Sequence, residues 1–223
     1  MLEVFVDLLS QPCRALIIFL TANNIQHTVH TVALRRGENR TPEFTKLNPM
    51  QKVPVMREDG FVLTESDAIL KHLTAAHSVP DHWYPRQPQK RARVDEYTAW
   101  HHMNTRLHAA KVFITEVLTP RMTGQPVDDV RLQRALRDLD GTLDKLETMF
   151  LKDQDFLCGD DITLADLLAI CELMQPLGGG RDVLMKRPRL QEWKRRVQSV
   201  LGDSFDSAHK ILYRLRDKHT SKL

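Results

Sequence analysis

Residues 3–9, EVFVDLL, alternate apolar and acidic positions before turning fully apolar, which predicts a strand entering a core. Ser10-Gln11-Pro12 and the run CRALIIFLTANN follow. A small hydroxyl residue with a proline two places on signals a helix start, and Asn23-Asn24 signals its end. His27 to Leu34, with valines at 29 and 32, predicts a second strand, and the polar stretch Arg35–Arg40, which holds Gly37, a loop. Thr41-Pro42-Glu43 opens a short helix that stops at Asn48-Pro49. Val53–Met56 and Phe61–Leu63 predict short strands around Glu58-Asp59-Gly60, a hairpin signal. Thr64-Glu65-Ser66-Asp67 then starts a helix running to about Ala76.

Beyond this mixed βαβαββα segment the strand patterns vanish. Residues 78–87 are proline-rich and aperiodic, a linker. Helical stretches are predicted over roughly 88–119, 128–152, 163–175, 188–200 and 204–218, broken at Pro120, Gly159-Asp160 and Gly178-Gly179-Gly180. Thr163-Leu164-Ala165-Asp166 reads as a capping box ahead of a buried helix. The expected domains are therefore 1–77, an α/β unit, and 88–223, an all-helical unit, joined by 78–87.

Composition narrows the class. Hydrophobic residues make up 42% of the 223, enough for a real core, and the net charge of +3 comes from 32 basic and 29 acidic side chains. That balance lacks the dense basic stripe of a nucleic-acid binder, so no nucleic-acid partner is expected. The three cysteines show no C-x-x-C spacing, which fits a reducing compartment such as the cytoplasm. The acidic N-terminus does not read as a signal peptide, and no stretch reaches transmembrane length, so no membrane role is expected. Ser221-Lys222-Leu223, at a free terminus, reads as a peroxisomal address.

Ser10 sits where a strand gives way to a helix, so its hydroxyl either caps that helix or holds a ligand there. For a thiol ligand the energetics suffice. A cysteine-type thiol ionises near pH ~8.5, and making it mostly anionic at neutral pH requires a shift worth roughly 2.7 kcal/mol. One hydrogen bond to a charged group contributes about 1.5–3 kcal/mol and a helix N-terminus about 0.3–1 more, so no general base is required. Val53-Pro54 either starts an ordinary strand or leaves the Val53 N–H and C=O facing a ligand as an added strand would. Glu65-Ser66 either caps a helix or grips an amino acid, the serine and amides taking a carboxylate and Glu65 an ammonium. Cys13 reads as a small buried hydrophobe. Of the ten histidines, the adjacent His101-His102 point about 100° apart on a helix and cannot share an ion, so no metal site is expected.

Together, SQPCRA after the first strand, KVP before the third, LTESDAIL at the third helix, ARVDEYTAWHH and DITLADL resemble theta-class glutathione transferases over essentially the whole chain. The resemblance implies a thioredoxin-like glutathione-binding domain, an all-helical domain carrying the electrophile pocket, and a homodimer. It implies glutathione as co-substrate with no further cofactor, and small hydrophobic electrophiles as partners. The expected reaction is conjugation to alkyl or aralkyl electrophiles, with peroxidase activity on organic hydroperoxides beside it.

By position, Ser10 resembles the catalytic serine that donates to the glutathione sulfur. Asn39, Lys52 and Val53 match residues that meet the glycyl end and backbone of the tripeptide, Pro54 the family's cis-proline, and Glu65 and Ser66 the pair holding the γ-glutamyl group. Arg106 falls where theta enzymes place an arginine beside the electrophile. Asn39 departs from the histidine of many relatives, and Met103 from a carboxylate. Vertebrate theta enzymes usually continue past the position of Leu223 into a helix that caps the active site; its absence implies a wetter pocket. Two other readings remain, a disulfide or dehydroascorbate reductase, which needs a cysteine at the Ser10 position, and a catalytically idle fold used for binding.

Overall fold

A computed structural model describes residues 1–220; the terminal Ser221-Lys222-Leu223 lies outside them. The chain divides into two compact units, residues 1–81 with 201–209, and residues 82–200 with the chain from Lys210 onward.

The first unit follows the expected order: β1 (Leu2–Val6), α1 (Gln11–Ala22), β2 (Thr28–Thr31), α2 (Pro42–Leu47), β3 (Val55–Glu58), β4 (Phe61–Thr64) and α3 (Ser66–Ala76). The sheet runs β2-β1-β3-β4, with β1 parallel to β2 and antiparallel to β3, and β3 antiparallel to β4. Alternation along β1 sends Leu2, Val4 and Val6 into the core. On the other face Glu3 bridges its neighbours, accepting from Arg57 at 2.7 and 2.9 Å and meeting His30 at 2.9 Å. The Arg57 bonds hold the Glu3 carboxyl down at about 2. Helix α1 buries nearly every residue from Pro12 to Leu20, which fits an apolar run without a polar face.

Two strands end sooner than their apolar patterns predict, and Asp7 is the reason. Its backbone carbonyl accepts from Ser10 N and its carboxylate from Leu9 N, both at 2.9 Å, turning the chain after Val6 instead of after Leu9. The same carboxylate takes the Leu34 amide at 3.0 Å, so β2 stops at Thr31 and the chain enters 3-10 turns at Leu34–Arg36 and Glu38–Arg40 where a plain loop was expected. The Asp59-Gly60 hairpin has left-handed φ at both central residues, 48° and 88°, as a type I′ turn requires.

In the second unit the segment expected as a linker is packed from His82 onward. Trp83 is buried, Tyr84 Oη donates to the Asp95 carboxylate at 3.0 Å, and Arg91 Nε donates to the Pro85 carbonyl at 2.8 Å. Helix α4 (Pro88–His101) runs through a π-turn (His102–Arg106) into α5 (Leu107–Phe113), a second π-turn (Ile114–Leu118) and α6 (Thr119–Thr123). The break expected at Pro120 therefore falls at Gly124, whose φ of 70° ends the helix. The π-turn widens the coil just before Pro120, which sits in the first turn of α6, where a missing N–H is tolerated.

Next come α7 (Asp129–Lys145), which passes into a π-turn (Leu146–Leu151), α8 (Leu164–Leu173), α9 (Pro188–Leu201) and α10 (Asp203–Thr220). Every residue of α8 is buried, and its Thr163/Asp166 capping box is formed in both directions. Asp166 also accepts from Leu157 N and Trp193 Nε1, each at 2.8 Å, so one carboxylate ties the loop before α8 to α9.

Candidate active site

Strand register collects the candidate residues of the first unit. Phe5 pairs with Val55, and Val55 with Thr64, in one row across the sheet. Ser10 follows β1, Val53-Pro54 precedes β3 and Glu65-Ser66 follows β4, so all emerge at the same end of the sheet. Because β2 is parallel to β1, its continuation toward Asn39 leaves at that end too. Helices α1 and α3 both begin there, so two sets of unpaired helical N–H groups share the edge.

Ser10 is the N-cap residue of α1, in extended conformation at φ −83° and ψ 126°, yet its side chain accepts no bond from the helix. The capping role open to it from the sequence is not taken. Its carbonyl accepts the Arg14 amide at 3.1 Å. The neighbouring Cys13 is fully buried, and burial lifts its thiol to about 11 even with the Ser10 hydroxyl beside it. A thiol so protonated is a poor nucleophile.

The Val53–Pro54 bond is cis. Among the described residues the Val53 N–H and C=O take no hydrogen-bond partner, which leaves them available as an edge. Asn48, 1% exposed, shapes the approach: its Nδ2 donates to the Lys52 carbonyl at 2.8 Å and its Oδ1 accepts from Met50 N at 3.0 Å. Asn39 Nδ2 donates to the Gln51 carbonyl at 2.8 Å, tying the second 3-10 turn to the same loop. Lys52 is exposed and has no carboxylate within ion-pair distance among the described residues. Gln51 is left-handed at φ 55°.

Glu65 is strained more plainly. Its φ of 66° with ψ 112° is a region that side-chain-bearing residues rarely enter. No side chain caps α3, and Ser66 at its start is 8% exposed, its hydroxyl unclaimed by any described residue. The end of this sheet therefore offers two hydroxyls, one unpaired strand segment, one lysine and one carboxylate, a set suited to an extended zwitterionic peptide.

Arg106 belongs to the other unit. It closes the first π-turn and donates through Nη1 to Glu172 Oε1 at 3.1 Å. Met103, on the same turn, is 69% exposed. No group of three or more His, Cys, Asp or Glu among the described residues is placed to hold a metal ion. Asp7, Arg14 and Asn48 escaped the sequence reading although they shape the loops around Ser10 and Val53. Each left a signal: an acid two residues before the turn amide it holds, a cation inside an apolar helix, and an Asn-Pro step.

Comparison with known proteins identifies the family. Residues 10–76 match the glutathione S-transferase N-terminal domain and residues 106–199 the glutathione S-transferase C-terminal domain. Glutathione S-transferase theta-1 of Rattus norvegicus is 48% identical over 217 residues, covering 97% of this chain and 90% of the relative. The apo form of human glutathione S-transferase T1-1 superposes with a TM-score of 0.94 at 44% identity, covering 97% of this chain and 91% of that one. A human theta-class enzyme in complex with the glutathione conjugate of 1-menaphthyl sulfate superposes with a TM-score of 0.93 at 40% identity, covering 99% and 91%. With two domain models matched in order and such identity along nearly the whole length of both partners, this chain belongs to the theta class of the glutathione S-transferases.

Proposed function

We propose that this protein transfers glutathione to small alkyl or aralkyl electrophiles, the Ser10 hydroxyl donating a hydrogen bond to the glutathione sulfur and keeping it a thiolate. The observation that carries this reading is that Ser10 occupies a helix N-cap without giving its hydroxyl to a backbone amide of the helix, only the protonated Cys13 thiol sharing it. In the proposed complex the thiol proton leaves to solvent and the thiolate attacks the electrophilic carbon. The bond to the leaving group breaks, and the leaving group takes the electron pair.

Val53 pairs with the tripeptide backbone in this reading, and Lys52, with Asn39 behind it, meets the glycyl carboxylate. Ser66 and the α3 amides take the γ-glutamyl carboxylate, and Glu65 its ammonium. Arg106 stabilises the departing anion. The relative solved with the conjugate of 1-menaphthyl sulfate motivates aralkyl sulfates as the first electrophiles to assay. Organic hydroperoxides are a second substrate class: the thiolate attacks the peroxide oxygen, releasing the alcohol, and a second glutathione then yields the disulfide and water. A homodimer in the cytoplasm completes the proposal; among the described residues no helix is long and apolar enough to cross a membrane.

Ser10→Ala tests it. Losing a hydrogen bond to a charged group costs about 1.5–3 kcal/mol, so turnover of an aralkyl sulfate with glutathione should drop roughly 10- to 150-fold. Equal rates in the two proteins would move the chemistry away from Ser10.

A further inference from the structure

Arg14 stands out among the charged residues of the first unit. It lies one turn into α1 within the apolar run, and it is 0% exposed. Burying a guanidinium is costly unless its donors are well used. Here they grip the chain that leads into Ser10: Nη1 donates to the Leu8 carbonyl at 2.9 Å and to the Leu9 carbonyl at 3.3 Å. The Arg14 backbone amide donates to the Ser10 carbonyl at 3.1 Å. Its side chain therefore holds two successive carbonyls, Leu8 and Leu9, and its backbone amide the next, at Ser10. Asp7 holds the amides of Leu9 and Ser10.

Between them the backbone of the turn has little freedom. That matters because a serine at an N-cap ordinarily accepts a helix amide on its hydroxyl, and this one meets the Cys13 thiol instead. A planar guanidinium can aim two N–H groups of one nitrogen at adjacent carbonyls in a fixed geometry that a flexible ammonium does not reproduce. We propose that Arg14 is a positioning residue for the Ser10 hydroxyl, holding the Leu8-Leu9-Ser10 turn so that the hydroxyl stays off the helix amides and reaches the bound thiolate. The inference rests on the role proposed for Ser10 and adds the residue through which that role is set.

The test is a double-mutant cycle on Arg14 and Ser10, read by the ultraviolet absorbance of enzyme-bound glutathione thiolate against pH. Arg14→Lys keeps the charge and loses the fork; Arg14→Gln loses both. In the Ser10 background each should raise the pKa of the bound thiol by about one unit and lower turnover at neutral pH about tenfold, with the KM for glutathione changed by less than about threefold. In the Ser10→Ala background the Arg14 substitutions should shift the pKa no further, since the hydroxyl they act through is gone.

A folded Arg14→Lys protein with wild-type thiolate pKa would overturn the proposal, and so would equal shifts in both backgrounds, which would mark a plain charge effect. If neither variant folds, the arginine serves the fold alone and the proposal falls. Failure of the Ser10 reading looks different: Ser10→Ala by itself would leave the thiolate pKa unmoved.

Discussion

Arg106 and Glu172 join a 39% exposed guanidinium to a carboxylate only 2% exposed, at 3.1 Å. The buried carboxylate anchors one nitrogen, and a guanidinium carries more donors than one carboxylate oxygen can use. An anchored cation with donors to spare can receive an anion without first being ordered. Arg106→Ala should therefore lower kcat/KM for an aralkyl sulfate by about 10- to 100-fold, while turnover of an organic hydroperoxide falls far less. Steady-state kinetics on the two substrates decide it. Equal losses would mean that Arg106 does not act on the leaving group.

At Glu65 the expectation concerns stability and binding together. A side chain held at φ 66°, ψ 112° costs about 1–3 kcal/mol, and glycine enters that region freely. Glu65→Gly should be about 1 kcal/mol more stable than Glu65→Ala in urea unfolding, while both lose glutathione affinity to a similar extent. If alanine proved the more stable, the backbone at this position would not be strained.

Much of this was legible in the chain. The strands, the hairpin turn and the capping box follow from periodicity and turn chemistry, because each is set by residues within a few positions of one another. Ser10, Val53-Pro54 and Glu65-Ser66 could be named singly, but only the row through Phe5, Val55 and Thr64 brings them to one end of the sheet. Where local reasoning missed, a distant partner had intervened. Asp7 reaches Leu34 and shortens β2, and the packing of Trp83 and Tyr84 orders the second part of a segment that prolines alone suggested to be a linker. The Arg106–Glu172 pair spans a separation that no spacing rule covers.

Asn39 bridges the turn before α2 to the Gln51 carbonyl and so holds the loop that carries Lys52 and Val53. Asn39→Ala removes one neutral hydrogen bond, worth about 1 kcal/mol. The KM for glutathione should rise roughly fivefold with kcat nearly unchanged, because in the proposed complex the loop meets the ligand and not the reacting sulfur. A fall in kcat with unchanged KM would contradict that division.

His101 gives a pH dependence whose sign is fixed. Burial, helped by the charges of His102 and Arg106, pushes its imidazole down to about 3 from 6.5. Between those values the unfolded chain binds a proton that the folded chain refuses, so stability falls as pH drops below about 6.5, approaching about 1.4 kcal/mol per pH unit. The loss levels off near 3. Urea titrations at several pH values, compared with His101→Gln, should show a shallower slope in the variant. Identical slopes would mean that the imidazole protonates in the folded state.

The shared row of Phe5, Val55 and Thr64 also governs where this chain can change length. Sliding β3 by one residue would reverse which way the Val53 amide faces and carry every side chain of the strand to the opposite surface. An extra residue in the Asp59-Gly60 turn therefore threatens ligand capture from the far end of the sheet. The exposed stretch from Gly124 to Pro126 is bound by no such constraint and can lengthen with little effect on catalysis.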